Sequence, residues 1–444
     1  MGPRGSSCQG SNRLMGKISN CLEKLPQRPK KDEQMMNQNS PPELTFNERD
    51  RRWVNVKQFM KKHQLEALLV AGFRAREMYE SYLSDDYNEG CVFFPMEGEP
   101  VVITWAHLRV MRARWSEEQG HPLWINDYRV ATNGKAVADL FKERRLTQSQ
   151  VGVIGLSSQA PTEPYGCIPA NFWMQLVGEL PHLRFKDYSE EFSHLMLVKS
   201  EEELDQIRYA AKAAEYACKV ITEIARPGVG EEVIFAEATK AMISFGIGVR
   251  YPAIVMNSGP ATLSWGPPRW STRAEKPRVL ARGDLLQTEL MPMCGNQEVQ
   301  VQMTVAFDPI GKTNEKCELV AMRAYEEGLK ALKPGITFED LVLAMEAPLK
   351  SSGCWAYTPL VHSISPHFLA GRSKVNMENL NLGIQYLGEP SPPVRKATIQ
   401  EGMVFAFEPN ACLNHHRVNI GGTVVVTKDG CVELNQIPCK VTHL

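Results

Sequence analysis

Gly283-Asp-Leu-Leu-Gln-Thr-Glu289-Leu-Met-Pro-Met-Cys-Gly-Asn-Gln-Glu-Val-Gln300-Val-Gln302-Met-Thr-Val-Ala-Phe307 alternates apolar and polar residues on both sides of Pro292 to Gln297. That alternation predicts two strands joined by a short turn. In the second arm Val299, Val301, Met303, Val305 and Phe307 share one face, which leaves Glu298, Gln300, Gln302 and Thr304 on the other. In the first arm Leu285, Gln287 and Glu289 line up on one side. An acid between Thr288 and Leu290 inside an apolar strand is costly unless something pairs with it. An edge hairpin with one wet face fits the bare pattern equally well.

Gly283-Asp284, a carboxylate six residues after the glycine, and a polar strand position eleven further on resemble a metal-ligand hairpin. It is that of the aminopeptidase P, prolidase and creatinase family, the pita-bread fold. Gly402-Met-Val-Phe-Ala-Phe-Glu408-Pro409 resembles the GMVFxxEP strand of that family, and Arg417 to Gly430 resembles its closing RIEDTVLVTEDG strand. The matches keep the family order and span roughly Leu197 to Leu434. The resemblance implies an α/β (α+β) chain of two domains: a small creatinase-type amino-terminal domain over 46–196 and a pita-bread domain with a pseudo-two-fold repeat over 197–444. It also implies a homodimer.

The departures bear on chemistry. Metal-dependent members of the family carry Asp, Asp, His, Glu and Glu around two divalent ions about 3.5–4 Å apart. The corresponding positions here are Glu289, Gln300, Glu408 and Gly421, or Asn419 if the count starts from Arg417. Two of four carboxylates are missing, so the expectation is no metal and no other cofactor. A single divalent cation held by Glu289, Glu408 and one histidine is the alternative. Creatinase within this family works without a metal, but the catalytic His it places before the GD strand is replaced here by Leu263-Ser-Trp265-Gly-Pro-Pro.

His362 and His367 lie where the family places its histidines. His367-Phe-Leu resembles the prolidase HFLG motif, whereas His362 matches the preceding family His with one residue inserted; either could face the site. Two buried carboxylates, Glu289 and Glu408, would lie on adjacent central strands and could not both ionise cheaply, which suits a general acid or base. Gln300 and Gln302 would orient or polarise a carbonyl beside them. Trp265, with Trp270, Trp355 and Tyr251, could wall the pocket for a cationic group. The loop Ser84 to Glu89 sits where the family reaches over a partner's site, so Asp85 is a further substrate-binding candidate.

Composition narrows the rest. The 444 residues are 43% apolar, enough for two packed domains. Fifty basic against 51 acidic residues leave no electrostatic footprint for nucleic acid or an anionic membrane. No apolar run reaches the length of a membrane span. Eleven cysteines without a CxxC pair suit a reducing, cytoplasmic setting. Residues 1–45 are polar and Gly/Ser-rich without an apolar signal core, which predicts a disordered tail. From Phe46 onward, strands and helices alternate.

Ser200-Glu-Glu-Glu203 reads as a capping box opening a long amphipathic helix that stops at Pro227-Gly228. Ala225-Arg-Pro-Gly-Val-Gly-Glu-Glu-Val233 is echoed by Leu332-Lys-Pro-Gly-Ile-Thr-Phe-Glu-Asp-Leu341, 107 residues later. Such an echo is what a duplicated helix-turn-helix leaves in sequence.

Three functions follow as expectations. The first is a metal-independent, creatinase-like hydrolase of a C–N bond in a small polar non-peptide substrate. The second is an Xaa-Pro metallopeptidase-like enzyme, or a lyase, with a single ion. The third is a non-catalytic pseudopeptidase binding module.

Overall fold

Strand and helix signals upstream of residue 197 resolve into one twisted sheet with its own core. The computed structural model describes residues 40–73, 77–159, 166–356, 359–371, 373–379, 383, 385 and 396–444. Most of the stretch expected as a tail lies outside them. At its end Leu44 is buried, and Thr45 caps α1 (Phe46–Lys62) by accepting from Asn47 N–H. Strands β1 (Ala67–Ala71), β2 (Gly90–Pro95), β3 (Val101–Thr104), β4 (Asp127–Val130), β5 (Gln150–Ile154) and β6 (Arg184–Asp187) form a sheet in the order β4-β3-β2-β1-β5-β6. Strands β2 and β3 pair antiparallel across Glu97-Gly98-Glu99. Every residue of β1 and β2 is buried, as central strands covered by helices require. One apolar cluster runs from Val56 to Met196, and two others gather residues from Leu197 onward.

The capping box forms as expected. Ser200 and Glu203 satisfy each other's N–H groups at the start of α2 (Glu201–Ile224). Glu203 does more than cap, because Arg51 and Arg52 of α1 reach its carboxylate at 2.9 and 3.0 Å. This buried ion cluster, completed by Glu48, fastens the first domain onto the second.

The echo is a structural repeat. Helix α2 is followed by α3 (Glu231–Ile243), and α4 (Lys312–Ala331) by α5 (Phe338–Ser352). The two turns make the same bonds: Gly228 N–H donates to Leu280 O and Glu231 N–H to Arg278 O, while Gly335 N–H donates to Ile399 O and Phe338 N–H to Ala397 O. Beyond them, β7 (Gly248–Gly259), β8 (Leu285–Cys294), β9 (Gln297–Glu298) and β10 (Val301–Ala306) form one sheet, joined by β18 (Thr442–His443). Strands β11 (Trp355–Ala356), β14 (Asn410–Leu413) and β15 (His416–Asn419) form a second sheet. A third is built from β12 (Val361–Ser363), β13 (Val404–Phe407), β16 (Thr423–Thr427) and β17 (Gly430–Glu433).

The register reveals the two-fold. Leu286 pairs with Val305, and Phe405 pairs with Val424, each position shifted by 119 residues. The same shift carries Glu289 onto Glu408 and Gln302 onto Gly421. Gln302 N–H donates to Gly421 O at 2.9 Å, so the two hairpins meet at equivalent residues.

Two expectations are corrected. The first arm does not turn at Pro292. It continues to Cys294, because Pro292 needs only its carbonyl in the ladder, accepting from Val299 N–H at 3.0 Å. Nor are the strands of Glu289 and Glu408 adjacent. They belong to separate sheets, with the return arms and the Gln302–Gly421 bridge between them.

The carboxy-terminal strand carries a pH-dependent clasp. His443 Nδ1 meets Asp308 and Nε2 meets Glu318, each at 3.1 Å. Burial opposes the imidazolium charge, but the hydrogen bonds to Glu318 and Asp308 outweigh it and raise the pKa. A raised folded-state pKa stabilises fully below the unfolded value of about 6.5 and ceases to do so as pH rises through the folded value. His443→Gln is therefore expected to lower the urea midpoint at pH 6 and to leave it unchanged at pH 9; equal losses at both would refute the clasp.

Candidate active site

The polar face predicted for the hairpin is buried and faces the residues expected there. Glu289, Gln300, Gln302, His362, His367 and Glu408 are all less than one-tenth exposed. Glu289 lies opposite Gln302 across the β8–β10 ladder, which puts both side chains on one face. The Gln302 amide reaches over to Glu408, Nε2 donating to Oε2 at 3.1 Å. One amide thus links the two carboxylate positions.

Both histidines point into the cluster, their ring centroids 4.5 Å apart. His362 Nδ1 is 2.8 Å from Ser363 O, a group that can only accept, so Nδ1 carries a hydrogen. His362 Nε2 faces Gln300 Oε1 at 3.0 Å and Glu408 Oε1 at 3.3 Å. The Gln300 amide is oriented by its own donation to Glu298 Oε1 at 2.6 Å. With oxygens on both sides, a proton on His362 Nε2 has both the Gln300 carbonyl and the Glu408 carboxylate as acceptors. The amide nitrogen of Gln300 also lies 3.2 Å from His367 Nε2, so Gln300 joins the two rings.

The loop carrying the histidines is clamped from three directions. Ser365 Oγ accepts from Glu298 N–H at 3.0 Å, and the Glu77 carboxylate accepts from His367 N–H at 3.2 and 3.3 Å. Lys199 Nζ, whose pKa burial lowers to about 8, donates to Ser365 O. Sequence reading missed Glu77, Lys199 and Arg250, the last of which pairs with Glu298. Glu298 had a visible signal, standing two residues before Gln300 on the same polar face. The other three are brought in from distant elements and left none.

Of the aromatic candidates only Trp265 joins the cluster. Its indole N–H donates to Glu289 Oε2 at 2.9 Å while the ring stays 45% exposed, so it stands at the mouth of a buried site. Trp270 instead bonds Glu231, Trp355 is buried in β11, and Tyr251 faces solvent. Behind Trp265 the buried Arg417 donates to Ser264 O at 2.9 Å and to Gln287 Oε1 at 2.8 Å, fixing that segment. Asp85 lies in the turn after Ser81–Ser84, where burial raises its pKa to about 7. Among the described residues no hydrogen bond or ion pair joins it to the cluster. Cys294 is buried with its thiol pushed up to about 12, which rules against a nucleophilic thiolate.

The donor set does not fit two divalent ions. Gly421 takes a φ of +141°, and a Cβ there would lie 1.8 Å from Phe407 O, so no ligand side chain can stand opposite Glu408 as Gln302 stands opposite Glu289. Glu298 is engaged by Arg250 and the Gln300 amide. Among the described residues, no group of three or more His, Cys, Asp or Glu side chains is arranged to hold an ion. No helix in those residues is long and apolar enough to cross a membrane.

Comparison with known proteins agrees with the fold. The model of metallopeptidase family M24 matches residues 205–428. A creatinase from a Bacillus species is 20% identical over 420 residues, covering 90% of this chain and 94% of its own. The ectoine hydrolase of Halomonas elongata is 22% identical over 381 residues, covering 79% and 86%. Among solved structures, the prolidase of Pyrococcus horikoshii superposes with a TM-score of 0.65 at 17% identity, covering 87% of this chain and 98% of that one. At that identity the likeness speaks for the two-domain pita-bread fold alone.

Proposed function

The chain belongs to metallopeptidase family M24, whose model spans residues 205–428, and we propose that it hydrolyses a C–N bond in a small polar non-peptide substrate without a metal ion. The observation that carries this reading is a buried cluster in which Gln302 stands opposite Glu289 and donates to Glu408, with His362 Nε2 3.3 Å from Glu408, beside a position, Gly421, that admits no ligand side chain. The creatinase and ectoine hydrolase relatives, by their names, act on the small molecules creatine and ectoine.

The geometry divides the labour. Glu289, held at its rim by Trp265, takes a proton from water, whose oxygen adds to the carbon of the C–N group. His362, sharing its proton with Glu408, delivers that proton to the departing nitrogen. The bond to nitrogen breaks as the bond to oxygen forms, and the proton on Glu289 returns through the cluster to His362. Gln300 keeps the imidazole in register, and the loop clamps on Ser365 and His367 keep both rings in place. We further place the protein in the cytoplasm as a homodimer, with Asp85 carried on a loop able to approach a partner's site.

Elemental mass spectrometry of protein purified without added ions tests the premise. Less than about 0.1 equivalent of Zn, Mn, Fe or Co is expected, with turnover of an amidine, guanidine or cyclic amide undiminished by EDTA. Near-stoichiometric metal whose removal abolishes turnover would replace this reading with a single ion held by Glu289, Glu408 and one histidine, the prolidase-like alternative.

A further inference from the structure

Gln302 is wholly buried, stands opposite Glu289 and donates through Nε2 to Glu408. That one bond fixes the direction of its amide, since rotation by a half-turn would set its carbonyl oxygen against a carboxylate oxygen. With the amide so oriented, Gln302 Oε1 has no hydrogen-bond partner among the described residues. Asn419, the pseudo-symmetric counterpart of Gln300, leaves its buried Oδ1 in the same condition. Buried carbonyl oxygens are ordinarily paired, and one left open beside two carboxylates faces groups that also accept. What such a place lacks is a donor.

We infer that Gln302 Oε1 accepts an N–H of the bound molecule, and that Gln302 thereby selects amidines, guanidines and N–H amides over esters and fully substituted nitrogen compounds. The inference rests on the proposed metal-free hydrolysis, in which Glu289 and the Glu408–His362 pair act on one bound molecule. A planar N–C–N group presents N–H bonds in several in-plane directions, so it can serve the two carboxylates and the Gln302 oxygen together. A quaternary ammonium of the same charge offers none of these bonds. Selection by a buried acceptor is steep, because a molecule without the donor leaves that acceptor unpaired in the closed site.

Methylguanidinium chloride and tetramethylammonium chloride, matched in ionic strength, separate hydrogen-bond donation from charge. Binding is followed by titration calorimetry and thermal shift on EDTA-dialysed wild-type protein. Methylguanidinium is expected to bind at least about tenfold more tightly, and Gln302→Met, which keeps the bulk and removes the acceptor, to reduce that preference to about unity. Equal affinity for the two cations in the wild type, or an unchanged preference in Gln302→Met, would overturn the inference. Should Gln302→Met fail to fold, the wild-type preference alone decides. No turnover is read in this experiment. A protein that proves metal-dependent can therefore still show the preference, and a metal-free hydrolase without it would discard only the role of Gln302.

Discussion

Glu408→Gln is expected to lower kcat by roughly 10³-fold while leaving the thermal midpoint within a few degrees of the wild type. The carboxylate lies 3.3 Å from His362 Nε2 and accepts from Gln302 at 3.1 Å. The amide replacement keeps the volume and one hydrogen-bond acceptor. It cannot take up or release the proton that His362 is to deliver, so the loss should fall on kcat rather than on KM. The pH profile should change as well, since one of the two ionisable groups 3.3 Å apart is replaced by a neutral amide. A variant with wild-type kcat would remove the proton-sharing pair from the mechanism, and with it the assignment of Glu408. The fold itself does not depend on the charge, because Glu408 sits just past β13 in a position set by its backbone bond to Leu360 O.

Gly421→Ala is expected to destabilise the protein by about 3 kcal/mol or more, read as a shift in the urea midpoint with an unchanged slope. Two costs combine there. The backbone φ of +141° is a region that side chains resist, and the added Cβ would lie 1.8 Å from Phe407 O and 2.7 Å from its carbonyl carbon. Backbone on both sides of the contact leaves nothing flexible to yield. The bond from Gln302 N–H to Gly421 O would be lost in any relaxation, and that bond joins the two halves of the pseudo-two-fold. A loss below about 1 kcal/mol would mean that the strand can retreat at little cost. Gly421→Glu should consequently fail to rebuild a family metal centre, since it meets the same obstacle before its carboxylate is reached.

Glu289, Gln300 and Gln302 share one buried face because strand alternation is a strong local signal. A period of two places Gln302, Glu289 and Gln287 on one buried face whatever surrounds them, whereas Glu408 was placed by the resemblance of its stretch to a family strand. The capping box and the repeated turn were legible for a similar reason: both are written within a few consecutive residues, and both formed.

Sequence by itself determined the first hairpin, its polar face and the duplicated helix pair, and the family resemblance placed the Glu408 strand and the loss of two carboxylates at Gln300 and Gly421. Tertiary structure alone decided how the hairpins meet. The contact of Gln302 with Gly421, the separation of Glu289 and Glu408 into different sheets, and the reach of Gln302 across that gap depend on a rotation between halves 119 residues apart. It also decided that both histidines face inward, that Trp265 rather than Trp270 or Trp355 meets Glu289, and that Glu77, Lys199 and Arg250 support the site. Local pattern specifies which face of a strand is buried. It carries no record of which distant side chain fills the space opposite, because that choice is made by packing in three dimensions.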